Sequence, residues 1–154
     1  MTVTQDRSKR SIAIDQIGYI NRVLDRFGMT DCRKHSTPME IGYKPNAIEA
    51  EEQPFDARTY QKPIGSILYA ALGSRLDITF ATSVLGRYAA QPSTLRWEPI
   101  RHLLRYLRGT SDYRLTIYDP NLRHDSSLGP DSQCVLCYAD ADLGGEADTS
   151  KSTL

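Results

Sequence analysis

The chain has 154 residues, enough for one domain with a real core, and 19 basic residues balance 19 acidic ones, so net charge directs it to neither nucleic acid nor a membrane. Three cysteines are an odd number, which argues against a disulfide framework and for a reducing compartment. No apolar run reaches the length of a membrane span and the N-terminus lacks a signal-peptide core, so a soluble, non-secreted protein of the cytoplasm or nucleus is expected.

Residues 1–14 alternate weakly (Val3, Ile12, Ile14) around the polar run Asp6 to Ser11, which predicts a hairpin with a charged turn. Two short strands are marginal alone, and no partner strand offers itself until past residue 115. Asp15 is placed to cap a helix in which Ile17, Ile20, Val23, Leu24 and Phe27 recur at helical spacing, with Gly28 as its stop. Residues 31–58 carry Pro38, Pro45 and Pro54 among several glutamates and read as a long irregular connection.

Two helical segments follow, roughly residues 59–72 and 77–90, split by Gly73-Ser74-Arg75, with Asp77 as the expected cap of the second. Gln91-Pro92-Ser93 breaks the run before a further helix. There Trp97, Ile100, Leu103, Leu104 and Leu107 fall within one arc, and Gly109 ends the pattern. Pro99 has no amide hydrogen and fits only the first turn or a kink of that helix. Four helices with short connections over most of residues 15–109 predict a small bundle.

Arg101, Arg105 and Arg108 form a stripe beside the apolar arc of the last helix. Planar guanidinium forks pair bidentately with phosphates. The same stripe is equally what a solvated face looks like near a helix C-terminus, where cations are favoured. Spacing leaves both readings open. After Gly109-Thr110 the period changes: Tyr113, Leu115, Ile117 and Tyr118 suggest a strand, and Cys134 to Ala139 a second beyond a polar loop. Cys134-Val-Leu-Cys137 matches C-x-x-C, but no second pair or suitably spaced histidine completes a zinc site, so ordinary buried cysteines are expected. The fold class is α+β.

These pieces, in this order, resemble the Pol polyprotein of copia-type LTR retrotransposons over nearly the whole chain. The resemblance is carried by Ile12-x-Ile14-x-Gln16-x-x-Tyr19-Ile20 with Phe27-Gly28-Met29, by Ser36-Thr37-Pro38-Met39, and by Tyr60-x-x-x-Ile64-Gly65-Ser66-Ile67-Leu68-Tyr69. It continues through Ser74-Arg75-Leu76-Asp77-Ile78, where the family has T-R-P-D-I, and Arg96-Trp97 with Leu104-Arg105-Tyr106-Leu107-Arg108-Gly109-Thr110. Tyr138-Ala139-Asp140-Ala141-Asp142 and Ser150-Lys151-Ser152-Thr153 complete the set. Each motif is weak alone; the ordered set is specific.

The resemblance implies a fragment: the end of a reverse transcriptase palm over residues 1–15, a helical thumb/connection over 16–112, and over 113–154 a connection strand with the truncated start of an RNase H-like domain. It casts Arg101, Arg105 and Arg108 as contacts to the backbone of an RNA–DNA template–primer hybrid, with Arg75 as a further contact or a structural ion-pair partner. It makes Asp140 the first of four RNase H carboxylates and a ligand of Mg²⁺ in the parent enzyme. The polymerase aspartates are expected before residue 1 and the other RNase H acids beyond Leu154. One carboxylate cannot hold two metal ions, so the chain alone is expected to be inactive. Its partners would be nucleic acid and the remainder of the polyprotein. Leu76, Leu143, Glu146 and Arg96 replace the family's proline, tryptophan, aspartate and histidine, which suits a decayed or trimmed copy. Two readings compete: a non-catalytic relic, and a helical module whose stripe binds an acidic protein.

Overall fold

A charged turn and two flanking alternating segments do form a hairpin in the computed structural model, which describes residues 1–43 and 53–119. β1 (Thr2–Asp6) runs antiparallel to β2 (Ser11–Asp15), with Thr2 opposite Asp15 and Asp6 opposite Ser11. Asp6 closes the turn by accepting from the Ser8 amide at 3.0 Å, the Ser8 hydroxyl at 2.6 Å and the Lys9 amide at 3.1 Å. The partner strand is β3 (Arg114–Tyr118), antiparallel to β2 with Asp15 opposite Arg114. Val3, Ile14 and Leu115 form one cross-strand row, and Ile12 with Ile117 the next on the same face.

α1 (Ile17–Arg26) begins one residue later than Asp15 alone would predict. Asp15 still accepts from the Ile17 amide at 3.3 Å, but the cap position belongs to Gln16, whose side chain turns inward to Ser74. The helix ends as read: Gly28 adopts φ +65°, Met29 N donates to Leu24 O at 2.8 Å and Gly28 N to Asp25 O at 3.0 Å. That is the Schellman arrangement, which needs a residue without a Cβ penalty at the left-handed position.

α2 (Ala57–Gly73) is capped by Asp56, which accepts from the Thr59 amide at 2.7 Å. The segment expected as one helix from Asp77 to Ala90 is instead a short 3-10 turn, Leu76–Ile78, leading into α3 (Thr79–Gly86). Asp77 does not cap it. Its carboxylate is taken by Arg75 and Tyr106, and the chain leaves the helix after Gly86 through turn hydrogen bonds at Tyr88 and Ala89. α4 (Trp97–Gly109) has the predicted bounds, with Pro99 in the first turn where its missing donor leaves no helical bond unmade.

α2 packs against all three other helices, and α4 also meets α1 and α3. Ile20, Leu24, Ile67, Leu85, Ile100, Leu103, Leu104 and Leu107 are each almost wholly removed from solvent where these helices meet. Each such side chain contributes on the order of 1.5–3 kcal/mol of burial. A three-stranded antiparallel sheet beside four packed helices is an α+β fold. Among the described residues no helix is long and apolar enough to cross a membrane. The strand expected over Cys134–Ala139, Asp140 and the start of an RNase H-like domain lie outside the described residues.

Candidate nucleic-acid interface

α4 presents its arginines on a rigid base because Ile100, Leu103, Leu104 and Leu107 anchor the adjoining face in the core. Arg101 is exposed and donates from Nη1 to Glu98 Oε2 at 3.2 Å. Arg105, half-buried, donates to Glu98 Oε1 at 2.6 Å. Arg108 reaches sideways and donates from Nε to the Thr30 carbonyl. One glutamate thus divides itself between two guanidinium groups. The Arg105 hydrogen bond outweighs desolvation and, with the Arg101 charge, holds the Glu98 carboxyl below its ordinary range. The Arg101 pair, open to solvent on both sides, contributes little.

A second basic run lies beside the stripe. The connection after α1 folds back along α4: His35 N donates to Arg105 O at 3.4 Å, His102 Nε2 lies 2.9 Å from Thr37 O, and the His35 and His102 rings stack with centroids 4.0 Å apart. Gly109 permits this approach, since a Cβ there would stand 3.1 Å from His35 O and 3.3 Å from Lys34 Cβ. Arg33 and Lys34, both exposed, come with it. Sequence reasoning missed these residues because the connection has no periodicity. The basic triplet Arg33-Lys34-His35 was the available signal.

Desolvation pushes His35 below its ordinary value of 6.5, and the charges of His102, Arg105 and Arg33 add to it, with Glu40 opposing. The folded chain therefore binds this proton less readily than the unfolded chain, and stability gained above pH 6.5 is lost as pH falls through that window. Acidification from pH 7 to 5 is expected to loosen the connection from α4. A proton NMR titration should find His35 below 6.5, with faster amide exchange at His35 in acid; a midpoint at or above that value contradicts the packing described.

Arg75 has a different setting from the other three arginines. Only 1% exposed, it donates from Nε and Nη2 to the two Asp77 oxygens at 2.9 and 2.7 Å, from Nη1 to Thr110 O at 2.9 Å and from Nη2 to Thr110 Oγ1 at 2.6 Å. Tyr106 donates its hydroxyl to Asp77 at 2.8 Å, and the guanidinium carbon lies 5.7 and 5.4 Å from the Tyr106 and Tyr113 ring centres. Of the two roles the sequence allowed, the structure builds the ion pair, in a position almost closed to solvent. Other motif residues are joints as well. Tyr19 donates to Ser66 O at 3.0 Å, Tyr60 to Leu85 O at 2.9 Å, and Ser74 to Gln16 Oε1 at 2.9 Å.

Among the described residues no three His, Cys, Asp or Glu side chains converge to hold a metal ion, and Asp140, the Mg²⁺ ligand implied by resemblance, lies outside them.

No protein-family model matches the chain, and no solved structure does. Curated relatives do. The retrovirus-related Pol polyprotein of transposon TNT 1-94 from Nicotiana tabacum is 32% identical over 158 aligned positions, which cover 99% of this chain and 11% of that protein. The corresponding polyprotein of transposon RE2 from Arabidopsis thaliana is 27% identical, over 96% of this chain and 9% of that one. An uncharacterized mitochondrial protein of Arabidopsis thaliana is 26% identical over 91% of this chain and 53% of its own length. The chain spans about a tenth of the length of the transposon polyproteins it matches. With nearly every residue of the chain aligned to these polyproteins, the chain belongs to the copia-type, retrovirus-related Pol polyproteins of transposons.

Proposed function

We propose that this segment grips the sugar-phosphate backbone of an RNA–DNA template–primer hybrid within a reverse transcriptase/RNase H polyprotein. The observation that carries the reading is the placement of Arg101, Arg105 and Arg108 along one side of a core-anchored helix, with Arg33 and Lys34 brought alongside. A polymerase must hold every sequence alike, and backbone contact through guanidinium groups supplies grip without base readout. The segment works as part of the larger protein and contributes no complete catalytic site of its own.

Glu98 favours a second reading, because its pairing with Arg101 and Arg105 is also what a plain solvated face does. The two are separated by binding of the chain to a labelled hybrid across a salt series. Three lost phosphate contacts should lower the slope of log affinity against log salt by about 2.7 in the Arg101→Ala/Arg105→Ala/Arg108→Ala variant, and weaken binding at least about tenfold at low salt. An unchanged slope from a folded variant would leave the stripe as a solvated face.

A further inference from the structure

A second basic surface lies where the end of α1, the start of α2 and the start of α4 meet around an open groove of about 690 Å³ lined by Arg26, Phe27, Thr59, Lys62 and Trp97. Its composition differs from that of the arginine stripe. Arg26 and Lys62 are exposed, and neither has a carboxylate in ion-pair range among the described residues. Asp56 caps α2 through the Thr59 amide, and Glu98 holds Arg101 and Arg105. Phe27 and Trp97 are half-buried, and Phe55 stacks on the indole with ring centres 5.0 Å apart and planes 24° off parallel.

A planar indole has two faces, and Phe55 fixes one of them. An aromatic ring held rigid in this way loses no rotamer freedom when a further flat group stacks on it. Two exposed cations beside such a ring are the recognition set for an unpaired nucleotide strand: bases stack, and phosphates pair with the cations. A duplex fits the set less well, because its bases are already stacked on one another and offer no face to the indole. An acidic peptide could use Arg26 and Lys62, but would leave the aromatic floor without a partner.

We infer that the groove between Arg26, Lys62 and Trp97 binds a single nucleic-acid strand, with a base against Trp97 or Phe27 and the adjoining phosphates on Arg26 and Lys62. The site goes beyond the hybrid-gripping reading and uses none of its residues, so either can fail without the other.

Trp97 is the sole tryptophan of the chain, and its fluorescence reports on the groove directly. The full chain is titrated at low salt with an oligothymidylate of about 12 nucleotides, a length within the range of single-strand binding sites. An RNA–DNA hybrid of equal length serves as the comparison. The oligothymidylate should quench Trp97 emission more than the hybrid does. Arg26→Ala/Lys62→Ala should weaken this binding about tenfold and lower its salt slope by about 1.4, at 0.7 for each phosphate contact on a single strand. Both positions are exposed, and circular dichroism of the variant checks its fold. The Arg101→Ala/Arg105→Ala/Arg108→Ala variant should keep the quenching. No quenching from the folded chain, quenching indifferent to Arg26 and Lys62, or stronger quenching by the hybrid would overturn the assignment.

Discussion

Arg75→Ala is expected to destabilise the chain by about 3 kcal/mol, at the lower end of the range for breaking a buried ion pair. The guanidinium makes four hydrogen bonds to Asp77 and Thr110 from a position 1% exposed, so alanine removes every one and leaves a void beneath two tyrosine rings. The lower end of that range applies because the Asp77 side chain keeps 34% of its surface in water and retains the Tyr106 hydroxyl. The consequence is a melting temperature lower by on the order of 10 °C, measurable by circular dichroism. Arg75→Lys should recover only part of this, since one ammonium group cannot span both carboxylate oxygens and the Thr110 carbonyl.

The same substitution has a signature in pH. Burial raises the Asp77 carboxyl, but the hydrogen bonds from Arg75 and Tyr106 and the Arg75 charge together leave it below its ordinary 3.8. A carboxyl with a lowered folded value stabilises the protein above its unfolded value, and that contribution disappears as pH falls through the folded one. Without Arg75 the burial effect is left opposed mainly by Tyr106, so the Asp77 carboxyl should titrate higher and acid unfolding should begin at higher pH. An Arg75→Ala chain that melts like the parent and unfolds in acid at the same pH would remove the ion pair from the account. Loss of hybrid affinity at a temperature where the variant stays folded would return Arg75 to the phosphate-binding set.

This network also shows where sequence reasoning reached its limit. The apolar arc of α4 specified a helix whose bounds and buried side were legible from period alone, and the alternation of residues 1–14 specified the hairpin. Period says nothing of a polar residue that points inward. Arg75 and Asp77 stood in a recognisable motif, yet their roles depend on Thr110, 35 residues away from Arg75, and on Tyr106. Asp77 accordingly looked like a cap, when its carboxylate was already committed and α3 was left short. The arginine stripe was legible as a stripe. Its restraint by Glu98 and the arrival of Arg33-Lys34-His35 beside it depend on a connection that carries no periodic signal.

Gly73→Ala is the sharper test of the joint between sheet and helices. Gly73 is the last residue of α2 and has no left-handed φ, so by helix propensity alone alanine should stabilise it by about 1 kcal/mol. The opposite is expected. A Cβ at residue 73 would stand 2.6–2.8 Å from the Gln16 amide group, closer than packed atoms tolerate. An exposed glutamine would swing aside at little cost. Gln16 is 1% exposed, and its Oε1 accepts from the Ser74 hydroxyl at 2.9 Å, so moving it leaves a buried hydroxyl without that bond. Overpacking of this kind costs about 1–3 kcal/mol, enough to exceed the propensity gain. The cause is separable by a double-mutant cycle. In a Gln16→Ala background the obstacle is gone, and Gly73→Ala should become neutral or stabilise by up to about 1 kcal/mol. Gly73→Ala that stabilises the parent chain, or costs the same in both backgrounds, would mean that Gln16 does not hold the end of α2 and that the sheet is joined to the helices elsewhere.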